Sequence, residues 1–134
     1  MDCIYCLSGT QVLNSRPKLR LNQVWRRRKC IKCANIFTTV EAADLRSSVM
    51  VASSKGDIRP FDRDRLFVSI LKACGHRSSA IEDAGALSDT VITKLASAFQ
   101  KAQVEASDIT QVTHKVLANF DKSAAVQYAA YHKL

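Results

Sequence analysis

Cys3, Cys6, Cys30 and Cys33 form two Cys-x-x-Cys pairs separated by 23 residues. Two thiolates on one tight knuckle can both reach a single ion at about 2.3 Å, and a second knuckle completes a tetrahedron. Four protein ligands leave no position for a water nucleophile, so one zinc ion held this way folds the chain and catalyses nothing. Two disulfides would use the same four residues. However, the fifth cysteine makes the count odd, and Met1-Asp2-Cys3-Ile4-Tyr5-Cys6 shows no basic leader followed by an apolar run. A redox pair of the thioredoxin kind needs βαβ surroundings, which neither knuckle has. Cys74 falls on the apolar face of a helical stretch, beside Ile70 and Leu71, and reads as a small buried hydrophobe. His76, His114 and His132 have no second ligand at useful spacing and read as surface or helix-end residues.

The run Arg26-Arg27-Arg28-Lys29 stands directly before the second knuckle. In a strand, alternation sends Arg26 and Arg28 to one face and Arg27 and Lys29 to the other. Guanidinium groups bind phosphates bidentately or pair with the acceptors of guanine in the major groove. Residues 1–40 carry eight Lys and Arg against Asp2 alone, a net +7 of the chain's +8. With no carboxylate in residues 3–40, this charge expects a polyanion as partner. Trp25 reads as packing on the ribbon more readily than as stacking on a base.

These side chains need elements to position them. Short β-like runs at 11–13, 23–25 and 36–40 predict an antiparallel zinc ribbon, whose hydrophobes are too few to form a core unaided. From about residue 46 the pattern changes. A hairpin of 49–51 and 58–60 around a Gly-containing turn is expected. Four amphipathic helices follow. The first is capped by Asp62 and carries Leu66, Phe67, Ile70, Leu71 and Cys74 inward. The second spans 81–99 with Ala84, Leu87, Val91, Leu95 and Phe99. The third spans 107–120 with Ile109, Val112, Val116 and Phe120, and the last starts at 123 with Val126, Ala129, Ala130 and Leu134. The expected fold class is α+β, with a ribbon at 1–45 and a hairpin over four short helices at 46–134. A chain of 134 residues excludes large barrels and doubly wound enzymes. No apolar stretch approaches a membrane span, and a soluble, intracellular protein is expected.

Cys3-x-x-Cys6, Val12-Leu13-Asn14-Ser15-Arg16, Val24-Trp25-Arg26-Arg27-Arg28-Lys29-Cys30-Ile31-Lys32-Cys33 and Phe37-Thr38-Thr39-Val40-Glu41 resemble the NrdR-type bacterial repressors of ribonucleotide reductase genes. Gly56-Asp57-Ile58-Arg59-Pro60-Phe61-Asp62-Arg63-Asp64-Arg65-Leu66 is similar to the start of that family's ATP-cone domain. Ala73-Cys74-Gly75-His76-Arg77 and the closing segment from Asp121 to Tyr131 are similar to later parts of it. The resemblance implies a DNA-contacting ribbon joined to a nucleotide-sensing, oligomerising cone. It implies double-stranded promoter DNA as partner, through Arg16, Arg26, Arg27, Arg28 and Lys29. It also implies ATP or dATP as effector, held by Val51, Lys55, Arg65 and Arg77, and a homo-oligomer acting in the bacterial cytoplasm at the nucleoid. The chain departs from the family in Asn14 for Asp, in Trp25 for Arg, and in a ribbon turn, 17–22, without the usual glycines. Where the cone usually opens Val-x-Lys-Arg-Asp-Gly, this chain has Val51-Ala52-Ser53-Ser54-Lys55-Gly56.

A zinc-dependent DNA-binding repressor regulated by ATP or dATP is therefore expected. The alternatives are a nucleic-acid or protein-binding ribbon whose cone no longer takes nucleotide, and a nucleotide-hydrolysing regulator. No enzyme is expected, since there is no open metal site, no defensible Ser-His-Asp ordering and no Walker-type loop.

Overall fold

The computed structural model describes residues 1–96, 99 and 102–132. They fall into two compact units, Met1–Ala43 and Asp44–Leu134.

In the first unit β1 (Thr10–Lys18), β2 (Gln23–Cys30) and β3 (Ile36–Ala42) form an antiparallel sheet in the order β1-β2-β3. The basic run lies in the central strand. β1 and β2 are joined by a 3-10 turn, Leu19–Leu21, and by Asn22 at φ 49°, a left-handed position that Asn tolerates better than most residues. The strands extend well past the short runs expected from β-branched residues. β1 contains no buried residue, so most of its length carries no alternation for a sequence reading to detect. The only buried hydrophobic residues described in this unit are Cys3, Cys30 and Phe37. Cys6 and Cys33 pack against them, and Tyr5 meets Phe37 edge-on at 6.5 Å.

The second unit opens with a single turn, α1 (Leu45–Ser48), capped by Asp44, whose carboxylate accepts the N–H groups of Arg46 and Ser47. Then come β4 (Met50–Ala52), β5 (Ile58–Pro60), α2 (Arg63–Ala73), α3 (Ala80–Leu95), β6 (Gln103–Glu105), α4 (Ala106–Phe120) and α5 (Lys122–His132). The expected hairpin is present, closed by Ser53 and Asp57, with Gly56 at φ 86° supplying the left-handed turn residue. It is part of a three-stranded sheet in the order β5-β4-β6, because β6 pairs parallel to β4. Periodicity could not reveal a three-residue strand with one buried residue, Val104, whose partner lies about fifty residues away.

The four expected helices are α2 to α5, and among the described residues α1 makes a fifth. Asp62 caps α2 as expected, accepting from the N–H groups of Asp64 at 3.0 Å and Arg65 at 3.2 Å. α2 packs on α3 and α5, and α4 packs on α3 and α5. The enclosed core includes Phe61, Ile70, Val91, Leu95 and Leu117. Cys74 is fully buried there, and burial pushes its thiol pKa up. Two expected faces are corrected. Phe120 is 41% exposed and lies over Arg77. In α5 the buried residues are Ala124, Ala125 and Tyr128, while Val126 is 70% exposed, Ala130 is exposed and Ala129 half-buried; Leu134 lies outside the described residues. Apolar residues surround this helix on all sides, so its sequence favours no face. The contacts with α2 and α4 choose the one that seats the Tyr128 ring.

Candidate metal centre, cationic face and ligand cavity

Both knuckles bend in the same way. After each second cysteine the chain passes through a left-handed residue, Leu7 at φ 57° and Ala34 at φ 60°. The turns bring the four Sγ atoms within 4.8 Å of one another, with Cys3–Cys33 at 3.7 Å and Cys6–Cys30 at 3.5 Å. A tetrahedron with metal–sulfur bonds of about 2.3 Å has edges of about 3.8 Å, so the spacing fits a zinc ion. The backbone is arranged for thiolates as well. Tyr5 N–H donates to Cys3 Sγ, and the N–H groups of Lys32 and Cys33 donate to Cys30 Sγ. Hydrogen bonds from the Ser8 side chain and backbone hold the Cys6 thiol down to about 6, and the Cys33 N–H lowers that of Cys30, whereas burial and the neighbouring thiols push Cys33 up to about 11. The cluster suits one structural zinc.

The basic run divides between two faces, as alternation requires, but the faces differ in what surrounds them. On one face Arg26 pairs with Glu41 of the neighbouring strand β3. Arg28 donates to Thr39 Oγ1 at 3.3 Å and to Thr10 Oγ1 at 3.4 Å. On the other face the register sets Arg27 opposite Asn14 and Thr38, Lys29 opposite Gln11 and Ile36, and Trp25 opposite Arg16 and Val40. Lys18, opposite Gln23, extends it. Among the described residues Arg16, Lys18, Arg27 and Lys29 make no ion pair. Glu41, one residue beyond the acid-free stretch, is the neutralising partner that the charge count missed. Its pairing depends on strand register.

In the second unit a cavity of about 240 Å³ lies between the small sheet and helices α2, α4 and α5. Of the four residues expected to hold a nucleotide, Val51 and Arg65 line it, and Lys55 and Arg77 are not among its lining residues. Lys55 sits on the exposed hairpin turn. Arg77 is bound elsewhere: Nε donates to Asp83 at 2.7 Å, a terminal nitrogen donates to Asp121 at 3.1 Å, and the guanidinium stacks 4.7 Å from the Phe120 ring centre. Asp121 also meets His76 Nε2 at 3.0 Å and caps α5 through the N–H groups of Ser123 and Ala124. These contacts, His76 foremost, hold its carboxyl at about 2. A carboxylate depressed in the folded state adds stability that is complete above about pH 4 and lost as pH falls through its folded value. Asp121→Asn is expected to lower the melting temperature at pH 6 and to flatten the fall below pH 4, as read from paired melting curves.

Cavity residues that the sequence did not reveal are Arg59, Ser69, Thr110, Tyr128 and His132. They come from β5, α2, α4 and α5, and no spacing within one segment connects them. The aromatic and aliphatic walls suit a flat ring. Arg59 and Arg65 make no ion pair among the described residues, so the cavity suits a ligand with an anionic end. Its acid, Asp62, has one oxygen committed to the cap of α2.

Fold and thiolate cluster together define a zinc-ribbon protein carrying a second, α+β unit with a ligand-sized cavity. The family model described as "Transcriptional repressor NrdR-like, N-terminal domain" matches residues 1–41, and the ATP cone domain model matches residues 49–134. The chain is 32% identical over 134 residues to the transcriptional repressor NrdR of Acetivibrio thermocellus, covering 99% of this chain and 87% of that one. It is likewise 32% identical over 133 residues to that of Symbiobacterium thermophilum, covering 99% and 87%. The chain belongs to the NrdR-like family. Among the described residues no helix is long and apolar enough to cross a membrane.

Proposed function

We propose that this protein is a zinc-dependent, DNA-binding transcriptional repressor, acting as a homo-oligomer in the bacterial cytoplasm on promoters of ribonucleotide reductase genes. Its cone binds ATP or dATP as effector, and the chain has no catalytic role. The observation that carries the reading is the strand face of Arg16, Lys18, Arg27 and Lys29, free of carboxylates and of ion pairs, on a sheet stapled by a thiolate cluster. Four cations fixed on one side of a rigid ribbon have no internal use, and a phosphate backbone is the polyanion that matches them. Arg26 and Arg28, among the residues expected to contact DNA, already hold partners within the sheet. On this reading they brace the strand.

Promoter DNA from upstream of ribonucleotide reductase genes, titrated across salt concentrations with and without nucleotide, tests this. Removing a cation that neutralises one phosphate lowers the salt slope by roughly 0.9. Arg16→Ala, Arg27→Ala and Lys29→Ala should each lower it by about that much, and Arg28→Ala should leave it near the parent value. An arginine that reads a base would instead cost about 1–3 kcal/mol and relax preference at one position. If all four variants bind like the parent, the partner of the ribbon is something other than DNA.

The positions of Lys55 and Arg77 favour a second reading, in which the cone has lost its ligand and serves assembly alone. Calorimetric titration with ATP and with dATP separates the two. Absence of heat with either at millimolar concentration selects the second.

A further inference from the structure

His132 closes one side of the cavity at the end of α5. Its ring stacks on Tyr128 with centroids 4.1 Å apart and planes 29° apart. Its Nε2 lies 2.7 Å from Ser69 Oγ, on α2. The ring is therefore held at two points, by a stack and by a hydrogen bond from a neighbouring helix. The charged groups along the same cavity are Arg59 from β5, and Asp62 and Arg65 at the start of α2. α4 contributes only uncharged residues, among them Ile109 and Thr110. Two arginines without an ion pair among the described residues and an imidazole held by a stack and a hydrogen bond thus line one cavity whose single acid also serves as a helix cap.

We infer that His132 is a ligand-binding residue of this cavity, a third cation that forms when the anionic end of a nucleotide arrives. The inference rests on the reading of the cavity as a nucleotide site. Partial desolvation lowers the imidazole pKa from its ordinary value, which favours the uncharged form in the empty cavity. A phosphate within a few ångströms favours the charged form and raises that pKa, so binding takes up one proton from solvent. The geometry suits this change. In the imidazolium, Nε2–H donates to Ser69 Oγ and Nδ1–H becomes a second donor. The stack on Tyr128 adds a cation–π contact. Linkage then fixes the sign: affinity rises as pH falls, by about tenfold for each pKa unit by which the ligand moves the imidazole.

ATP binding to the full chain, measured by calorimetry from pH 5.5 to 8 for the parent, His132→Gln and His132→Lys, tests the assignment. The terminal phosphate of free ATP titrates near pH 6 in its own right, and that free-ligand contribution is common to all three proteins. The parent should gain about tenfold relative to His132→Gln between pH 8 and pH 5.5, and the two should converge at the alkaline end. His132→Lys, charged throughout, should bind tightly at every pH and lose the difference. Equal pH profiles for parent and His132→Gln, with ATP bound, overturn the role of His132 and leave the nucleotide site standing. No heat from the parent or either variant at any pH overturns both.

Discussion

Stripping zinc from the protein with a chelator will unfold the segment Met1–Ala43 and leave the helical unit folded. The ribbon has no other source of stability of comparable size. Its buried hydrophobic residues are Cys3, Cys30 and Phe37, and two of these are ligands. Its outer strands β1 and β3 are largely exposed, and β2 has one buried residue, the ligand Cys30. Structural zinc in such sites contributes roughly 10–16 kcal/mol of apparent binding free energy at neutral pH, which is folding free energy for the segment that makes the site. The two left-handed knuckle residues, Leu7 and Ala34, also cost about 1–2 kcal/mol each without glycine, an expense that the closed cluster offsets. The helical unit, by contrast, has a continuous core of its own. The chain's single tryptophan, Trp25, lies in β2 and reports the ribbon by fluorescence, while circular dichroism reports the helices. The expected result is a red shift of Trp25 emission on chelation with the helical signal kept. Cys30→Ser should give the same pattern without a chelator. A ribbon that keeps its emission without metal, or helices that melt along with it, would refute the division.

The converse experiment removes the core of the second unit. Phe61 is 1% exposed and packs edge-on against Phe99 at 6.0 Å. Its N–H donates to the Val49 carbonyl at 2.8 Å. It joins β5 to the Asp62 cap of α2, so a cavity there cannot collapse without moving either the sheet or the helix. Phe61→Ala is expected to destabilise the helical unit by about 3–5 kcal/mol, roughly 15 °C or more in melting temperature for a unit of this size. Trp25 emission and zinc content should stay at parent values at temperatures where the helices have melted. A loss under about 1 kcal/mol would mean that the site repacks and that Phe61 is not a keystone of the core.

The residues that do chemistry through spacing are legible in the sequence. A Cys-x-x-Cys pair defines a knuckle through local turn geometry, and four cysteines in two such pairs admit few arrangements. The helix capped by Asp62 is legible for a similar reason, since its cap bonds and the period of Leu66 and Ile70 lie within one segment. The concentration of charge before residue 40 needs only counting.

Tertiary structure decided whatever depends on which segments meet. Register paired Glu41 with Arg26 and left Arg27 and Lys29 on a face without acids, although all four basic residues are equivalent in the linear run. Arg77 resembles a ligand-binding cation by position, yet the approach of α3 and the α4–α5 junction surrounds it with Asp83, Asp121 and Phe120. The cavity gathers Arg59, Ser69, Tyr128 and His132 from three elements, and its composition is set by packing angles that no local period encodes. Patterns within about one turn or one knuckle are fixed by backbone geometry and can be read from the sequence. Partners separated by tens of residues are chosen by the collective burial of the core, and only the folded chain specifies them.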